Sequence, residues 1–234
     1  MTQCKQSAPI NHYKLTGLIF NNDFLFLHVP KTGGIALSSE LLQKLKPPIY
    51  YTLPSGHQSV KIPGVMYLNG KRHENLNQAM KFFDNHKRVL ARKLDDYKTI
   101  LIVIRNPYEI VVSRYHYLLL NNPWDKGPAK DIALTSSFEE FAINAPHYFN
   151  LKKYIIHNNV IPKNLHIIRY NDLKTQINRK ISTHLKSKIS LSERKNATTH
   201  NHWQEYITTE AIEHNIYQKF KFAFDKGFYS RYNV

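Results

Sequence analysis

Lys31 stands directly before Thr32-Gly33-Gly34, between an apolar run, Phe24 to Val29, and a stretch that resumes with helical spacing. A lysine at a glycine-bearing turn from strand to helix suits an anion. Glycine lets the backbone approach closely, the first amides of the helix are free donors, and the helix dipole adds positive potential. Lys31 contributes a compact ammonium and Thr32 a hydroxyl donor, so phosphate is the natural guest. About 70 residues later a second cation, Arg105, closes another apolar run, "TILIVI", Thr99 to Ile104. A nucleoside-triphosphate loop has a different pattern: G-x-x-x-x-G-K-[ST] puts the lysine after the glycines, and a later strand ends in a carboxylate that positions magnesium. Here Lys31 precedes the glycines and the later strand ends in arginine. A nucleotide kinase is therefore the weaker reading, and no metal is expected.

These residues need a scaffold. Phe24 to Val29, bounded by Asn21-Asn22-Asp23 and Pro30, reads as a buried strand. From Gly34, residues Ile35, Leu37, Leu41, Leu42 and Leu45 recur at helical spacing until Pro47-Pro48. Pro54 to Gly70, with three glycines and two prolines, reads as irregular, and Asn75 to Tyr97 as partly helical. "TILIVI" is the pattern of a central parallel strand covered on both faces. Pro107 then suits the first turn of a helix running to about Leu120. Ser137 and Glu140 form a capping box for a helix over Phe138 to Ile143. "NLHIIRY", Asn164 to Tyr170, reads as a strand, Asn171 to Leu185 as a helix, and Thr208 or Thr209 to Phe222 as the last helix. Strands alternating with helices predict an α/β fold with a mostly parallel sheet, its ligands beyond the carboxyl ends of the strands.

The 234 residues show no linker-like tract and predict a single domain over 1–234. Lys and Arg number 33 against 17 Asp and Glu, a net charge of +16, which favours an anionic partner. Leu151 to His200 alone holds 11 basic residues and only two acidic ones, Asp172 and Glu193. No helix-turn-helix, zinc or RNA-recognition signature accompanies that charge, so a nucleic-acid-binding module rests on charge alone. Cys4 is the only cysteine, which excludes an intrachain disulfide and fits a reducing compartment. The first residues, "MTQCKQSAPINHYKLTG", lack the apolar core of a signal peptide, and no run approaches the roughly 18 apolar residues of a membrane span. A cytoplasmic location without a membrane span in this chain is expected. Asn196-Ala197-Thr198 is a glycosylation sequon, relevant only to an exported chain.

"HVPKTGG", His28 to Gly34, resembles the 5′-phosphosulfate-binding loop of sulfotransferases, and "IRNPYEIVVSRY", Ile104 to Tyr115, resembles their 3′-phosphate-binding strand and helix. In this order and at this separation the two are specific. The group most like it includes heparan sulfate 2-O-sulfotransferases and related bacterial enzymes, which use 3′-phosphoadenosine 5′-phosphosulfate (PAPS). The likeness extends through "SFEEF", "IIRYNDL" and "FDKGFY". It implies a P-loop-like three-layer fold, PAPS as cofactor and adenosine 3′,5′-bisphosphate as product. It also implies that the backbone of Thr32, Gly33 and Gly34 holds the 5′-phosphate. Lys31 would reach the bridging oxygen of the departing phosphate, and Arg105 and Ser113 would hold the 3′-phosphate. "ERKNATTHNHW", Glu193 to Trp203, resembles the late basic loop that closes over the 3′-phosphate, which nominates Arg194 and Lys195.

Transfer to an alcohol needs a proton acceptor, work for which histidine is suited. Among 13 histidines, the family pattern of a histidine after the first helix, in a Gly-His or Lys-His context, selects His57 in "PSGHQSV". His28, at the strand end, supports the loop. Family loops usually continue "KTGGTS", whereas Ile35-Ala36 here lack two hydroxyls, with Ser38 or Ser39 as partial substitutes. The expected activity is sulfuryl transfer from PAPS to a hydroxyl. Its acceptor is a carbohydrate by family analogy, including an anionic one, with a small molecule or peptidyl tyrosine as the alternatives.

Overall fold

The computed structural model describes residues 15–53, 62–90, 92–123, 125–191 and 199–234. Six strands, β1 (Ile19–Phe20), β2 (Phe24–Leu27), β3 (Ile49–Leu53), β4 (Val65–Asn69), β5 (Thr99–Ile104) and β6 (Leu165–Arg169), form one sheet in the order β4-β3-β1-β2-β5-β6. The short β1 is antiparallel to its neighbours β2 and β3, and the pairs β3–β4, β2–β5 and β5–β6 are parallel. Five strands therefore share one direction. Their carboxyl ends, Leu27, Leu53, Asn69, Ile104 and Arg169, fall along one edge.

Alternation of side chains splits the core in two. Leu101 and Val103 of β5 join Phe24 and Phe26 of β2 on one face; Ile100, Ile102 and Ile104 join Leu25 and Leu27 on the other. Because both faces are covered, each central strand is apolar throughout, and β2 and β5 are buried at every position. The helices are α1 (Gly34–Lys44), α2 (Leu76–Asn85), α3 (Lys87–Leu90), α4 (Pro107–Leu119), α5 (Pro128–Thr135), α6 (Phe138–Asn144), α7 (Lys152–Ile155), α8 (Leu173–Ile181), α9 (Glu210–Lys219) and α10 (Lys221–Asp225). Leu37, Leu41 and Leu42 of α1 and Leu173, Ile177 and Ile181 of α8 cover the first face; Leu76, Phe82 and Phe83 of α2 and Tyr154 and Ile155 of α7 cover the second. The result is a three-layer α/β arrangement.

A third apolar cluster gathers α4, α5, α6, α9 and α10 around Tyr108, Phe141 and Ile216. Tyr108 Oη donates to Glu213 at 2.6 Å and accepts from the Tyr232 amide at 3.0 Å, while Arg231 Nε donates to Glu213 at 3.1 Å. This network ties the chain's last residues to the first turn of α4. Among the described residues no helix is long and apolar enough to cross a membrane.

Two expectations need correction. Val65–Asn69, within the segment read as irregular, is strand β4; it is a half-exposed edge strand whose five residues present no continuous buried run. The last helix divides at Phe220, where the backbone leaves helical values (φ −118°, ψ 23°) and α10 begins.

Candidate functional site

Residues that follow four of the five carboxyl ends, those of β2, β4, β5 and β6, meet in one site. After β2 the chain turns at Lys31 (φ 63°) and Gly33 (φ 73°), both in the left-handed region, and enters α1 at Gly34. A Cβ on Gly33 would lie 2.5 Å from the Tyr170 ring, and one on Gly34 would lie 2.4 Å from His28 Nε2. Side chains are thus excluded from the two positions where the loop must pass closest to its neighbours. Gly33 caps α1 without any side-chain hydrogen bond, so the first amides of the helix receive no side-chain partner there. Thr32 is buried and its Oγ1 donates to Val29 O at 2.8 Å, which ties the loop to itself and leaves the Thr32 amide, rather than its hydroxyl, as the group to offer an anion.

His28 forms the floor of this loop. Its Nδ1 lies 2.9 Å from Leu15 O; a carbonyl only accepts, so Nδ1 carries the proton. Burial, followed by the neighbouring His73, pushes its pKa down to about 3, and the imidazole is neutral. The expected supporting role of His28 therefore has a concrete basis in contact with Gly34.

Arg105, at the end of β5, reaches across to the loop. Its Nε donates to Glu109 at 2.8 Å, a terminal nitrogen donates to Lys31 O at 3.3 Å, and its guanidinium lies 4.9 Å from the Tyr170 ring centroid. Asn106 caps α4 by accepting from the Tyr108 amide, and Pro107 occupies the first turn, where a missing N–H costs nothing. Glu109, Ser113 and Tyr117 then fall at i, i+4 and i+8 on one face of α4. Glu109 meets Arg105, and the Lys31 ammonium sits 3.8 Å over the Tyr117 ring. Ser113 is buried and falls between those two residues on the same helix face. Two motifs far apart in sequence are in this way brought into one site.

The electrostatics of the site favour an anion. Burial pushes Lys31 down from the ordinary 10.5 to about 7, with repulsion from Arg105 and Arg114 adding to it and Asp125 opposing it. Glu109 is already engaged by Arg105. The cradle free of Cβ atoms, the clustered cations and the buried Ser113 together fit a phosphate-bearing nucleotide.

Sequence reasoning missed His73. It follows β4, at the same carboxyl edge, and its backbone is also left-handed (φ 52°). Its amide donates to Thr16 O at 2.8 Å, and its carbonyl accepts from Tyr154 Oη at 2.7 Å. Nδ1 lies 3.1 Å from His28 O and must carry the proton, so Nε2 keeps its lone pair. Burial lowers the pKa of His73; the bond to His28 opposes this, while Arg72 and Lys31 lower it further. The ring meets that of His28 edge-on at 4.9 Å. The available signal was Lys71-Arg72-His73, a Lys-His context one residue looser than the family pattern, behind a strand whose apolar run was too weak to recognise.

His57, Arg194 and Lys195 lie outside the described residues. A model of the sulfotransferase domain family matches residues 22–204, which takes in both motifs. No curated protein and no solved structure is significantly similar to the chain.

Proposed function

The chain belongs to the sulfotransferase family, and from that premise we propose that it moves a sulfuryl group from PAPS to a hydroxyl of a carbohydrate. When bound, PAPS would supply the sulfuryl group to the acceptor oxygen, with adenosine 3′,5′-bisphosphate as the leaving group and the hydroxyl proton passing to a base. The amides of Thr32, Gly33 and Gly34 would be the donors for the 5′-phosphate, and Lys31 would neutralise charge on the leaving oxygen. Arg105 and Ser113 would hold the 3′-phosphate, and Arg194 and Lys195, outside the described residues, are nominated beside them by their sequence position alone. The observation that carries this reading is the hydrogen bond from Arg105 to Lys31 O, which joins the two anion-binding motifs.

For the proton acceptor, sequence position nominates His57, and a specific observation favours His73. The His28 carbonyl holds the proton on Nδ1 of His73 and leaves Nε2 bare, while burial keeps the ring neutral. The same carbonyl belongs to the residue that floors the phosphosulfate loop, so the base and the anion cradle share one support. A carbohydrate acceptor, including an anionic one, is supported by the basic excess of Leu151 to His200. Heparan sulfate-like chains are the first acceptors to try.

With sulfur-labelled PAPS, the wild-type protein is expected to label a polysaccharide panel and not tyrosine peptides. His73→Gln, which keeps an amide donor for the His28 carbonyl, is expected to lower kcat by about 10²–10⁴-fold with bisphosphate affinity unchanged. Near-normal turnover of His73→Gln alongside a collapsed His57→Gln would return the role to His57. Label on peptides alone would overturn the carbohydrate assignment.

A further inference from the structure

α4 carries a polar atom that neither the fold nor the contacts above account for. His116 Nε2 is buried and has no hydrogen-bond partner among the described residues. A buried nitrogen left unpaired forfeits its hydration, and native structures rarely keep one unless water or a ligand completes the bond. His116 lies three residues beyond Ser113, close enough along the helix for the two side chains to be neighbours, and directly before Tyr117, which carries Lys31.

The ring is held in place from the other side. His200 stacks on it with centroids 5.2 Å apart and planes inclined by 24°, and Tyr206 meets it edge-on at 5.2 Å. His200 Nδ1 is 2.7 Å from Asn201 O and so carries its proton there, which orients the stacked ring. Tyr206 packs in turn on Phe138 at 5.0 Å. Among the described residues, then, aromatic contacts fix the His116 ring while its Nε2 goes unused. A ring positioned this firmly, with an idle nitrogen one turn from the buried Ser113, can donate to a phosphate oxygen as the Nε2-protonated tautomer.

We propose that His116 is a further ligand of the nucleotide 3′-phosphate, bonding through Nε2 beside Ser113. The assignment rests on the PAPS reading above and adds a residue to it. It also explains why α4 spends a histidine where an apolar side chain would pack against His200 and Tyr206 without an orphaned nitrogen.

The test compares adenosine 3′,5′-bisphosphate with adenosine 5′-phosphate, which lacks only the 3′-phosphate, by calorimetry on the wild-type protein, His116→Ala and His116→Gln. The expected result is that His116→Ala weakens the bisphosphate by about tenfold or more and leaves the monophosphate within about twofold. His116→Gln, which restores a donor, is expected to recover part of the loss. A merely structural histidine would weaken both nucleotides equally and lower Tm; that result, or unchanged affinity for both, overturns the proposal. If the wild-type protein prefers neither nucleotide, the PAPS reading fails and takes this assignment with it, whereas a wild-type preference retained by His116→Ala overturns this assignment alone.

Discussion

Replacing Lys31 with Ala is expected to lower kcat by about 10²–10³-fold, the magnitude typical of removing one donor aimed at charge developing in the transition state. The effect should fall on turnover far more than on nucleotide binding, because the leaving oxygen gains its charge only as the sulfuryl group departs. Stability should not suffer. In the free protein the ammonium rests on the Tyr117 face, and the fold lowers its pKa from 10.5 to about 7. A lysine whose pKa falls on folding costs stability; the cost is present in full below pH about 7 and disappears above about 10.5. Lys31→Ala is therefore expected to hold or raise Tm at pH 7 and below. Lys31→Arg should not rescue turnover, since a planar fork on a residue held at φ 63° cannot take the place of a point charge. Wild-type turnover in Lys31→Ala, or a matching fall in Tm, would refute the role.

Arg105→Ala should act on binding. Loss of a bidentate, charge-assisted contact to phosphate is worth about 1.5–3 kcal/mol or more, so affinity for adenosine 3′,5′-bisphosphate is expected to drop by about 10–150-fold. Adenosine 5′-phosphate should bind almost as before. The substitution also leaves Glu109 unpaired in a half-buried setting and removes the brace on Lys31 O, so some stability is lost as well. Two companions separate the effects. Glu109→Gln removes the pair while keeping the guanidinium, and should retain bisphosphate affinity. Arg105→Lys keeps the charge without the fork and should fall between wild type and Arg105→Ala. Unchanged calorimetric affinity in Arg105→Ala would remove this residue from the site.

The elements that carry the two motifs were legible because burial on both faces forces a continuous apolar run. β2 and β5 have one, and Pro107 and Pro47-Pro48 punctuate the helices beside them. The capping box at Ser137 appears as read, with the Ser137 hydroxyl accepting from the Glu140 amide at 3.2 Å and the Glu140 carboxylate from the Ser137 amide at 2.9 Å. β4 was not legible. An edge strand is covered on fewer sides, and "VMYLN" sits beyond a stretch rich in proline and glycine. Missing that strand hid the meaning of His73, whose position at the common carboxyl edge depends on it. The break at Phe220 was hidden for another reason: Ile212, Ile216, Phe220 and Phe224 keep helical spacing straight through it and pack in one cluster.

Other parts of the site depend on tertiary contacts that spacing does not encode. Gly33 and Gly34 suggested a turn, but the sequence does not reveal that Tyr170 and His28 occupy the space a Cβ would need. Thr32 looked like a hydroxyl donor to a ligand, yet its Oγ1 is taken by Val29 O. The orphaned nitrogen of His116 likewise becomes visible only when His200 and Tyr206 are seen to close around the ring.

The central claim is that the Lys31 loop and Arg105 together hold a 3′-phosphorylated adenine nucleotide. The most direct measurement is calorimetric titration of the wild-type protein with adenosine 3′,5′-bisphosphate, adenosine 5′-phosphate and magnesium ATP. The account predicts that the bisphosphate binds in the range usual for enzyme substrates, about 1 μM to 1 mM, that it binds more tightly than the other two, and that chelating divalent metal changes nothing. Preference for magnesium ATP, or no binding of the bisphosphate, would contradict it.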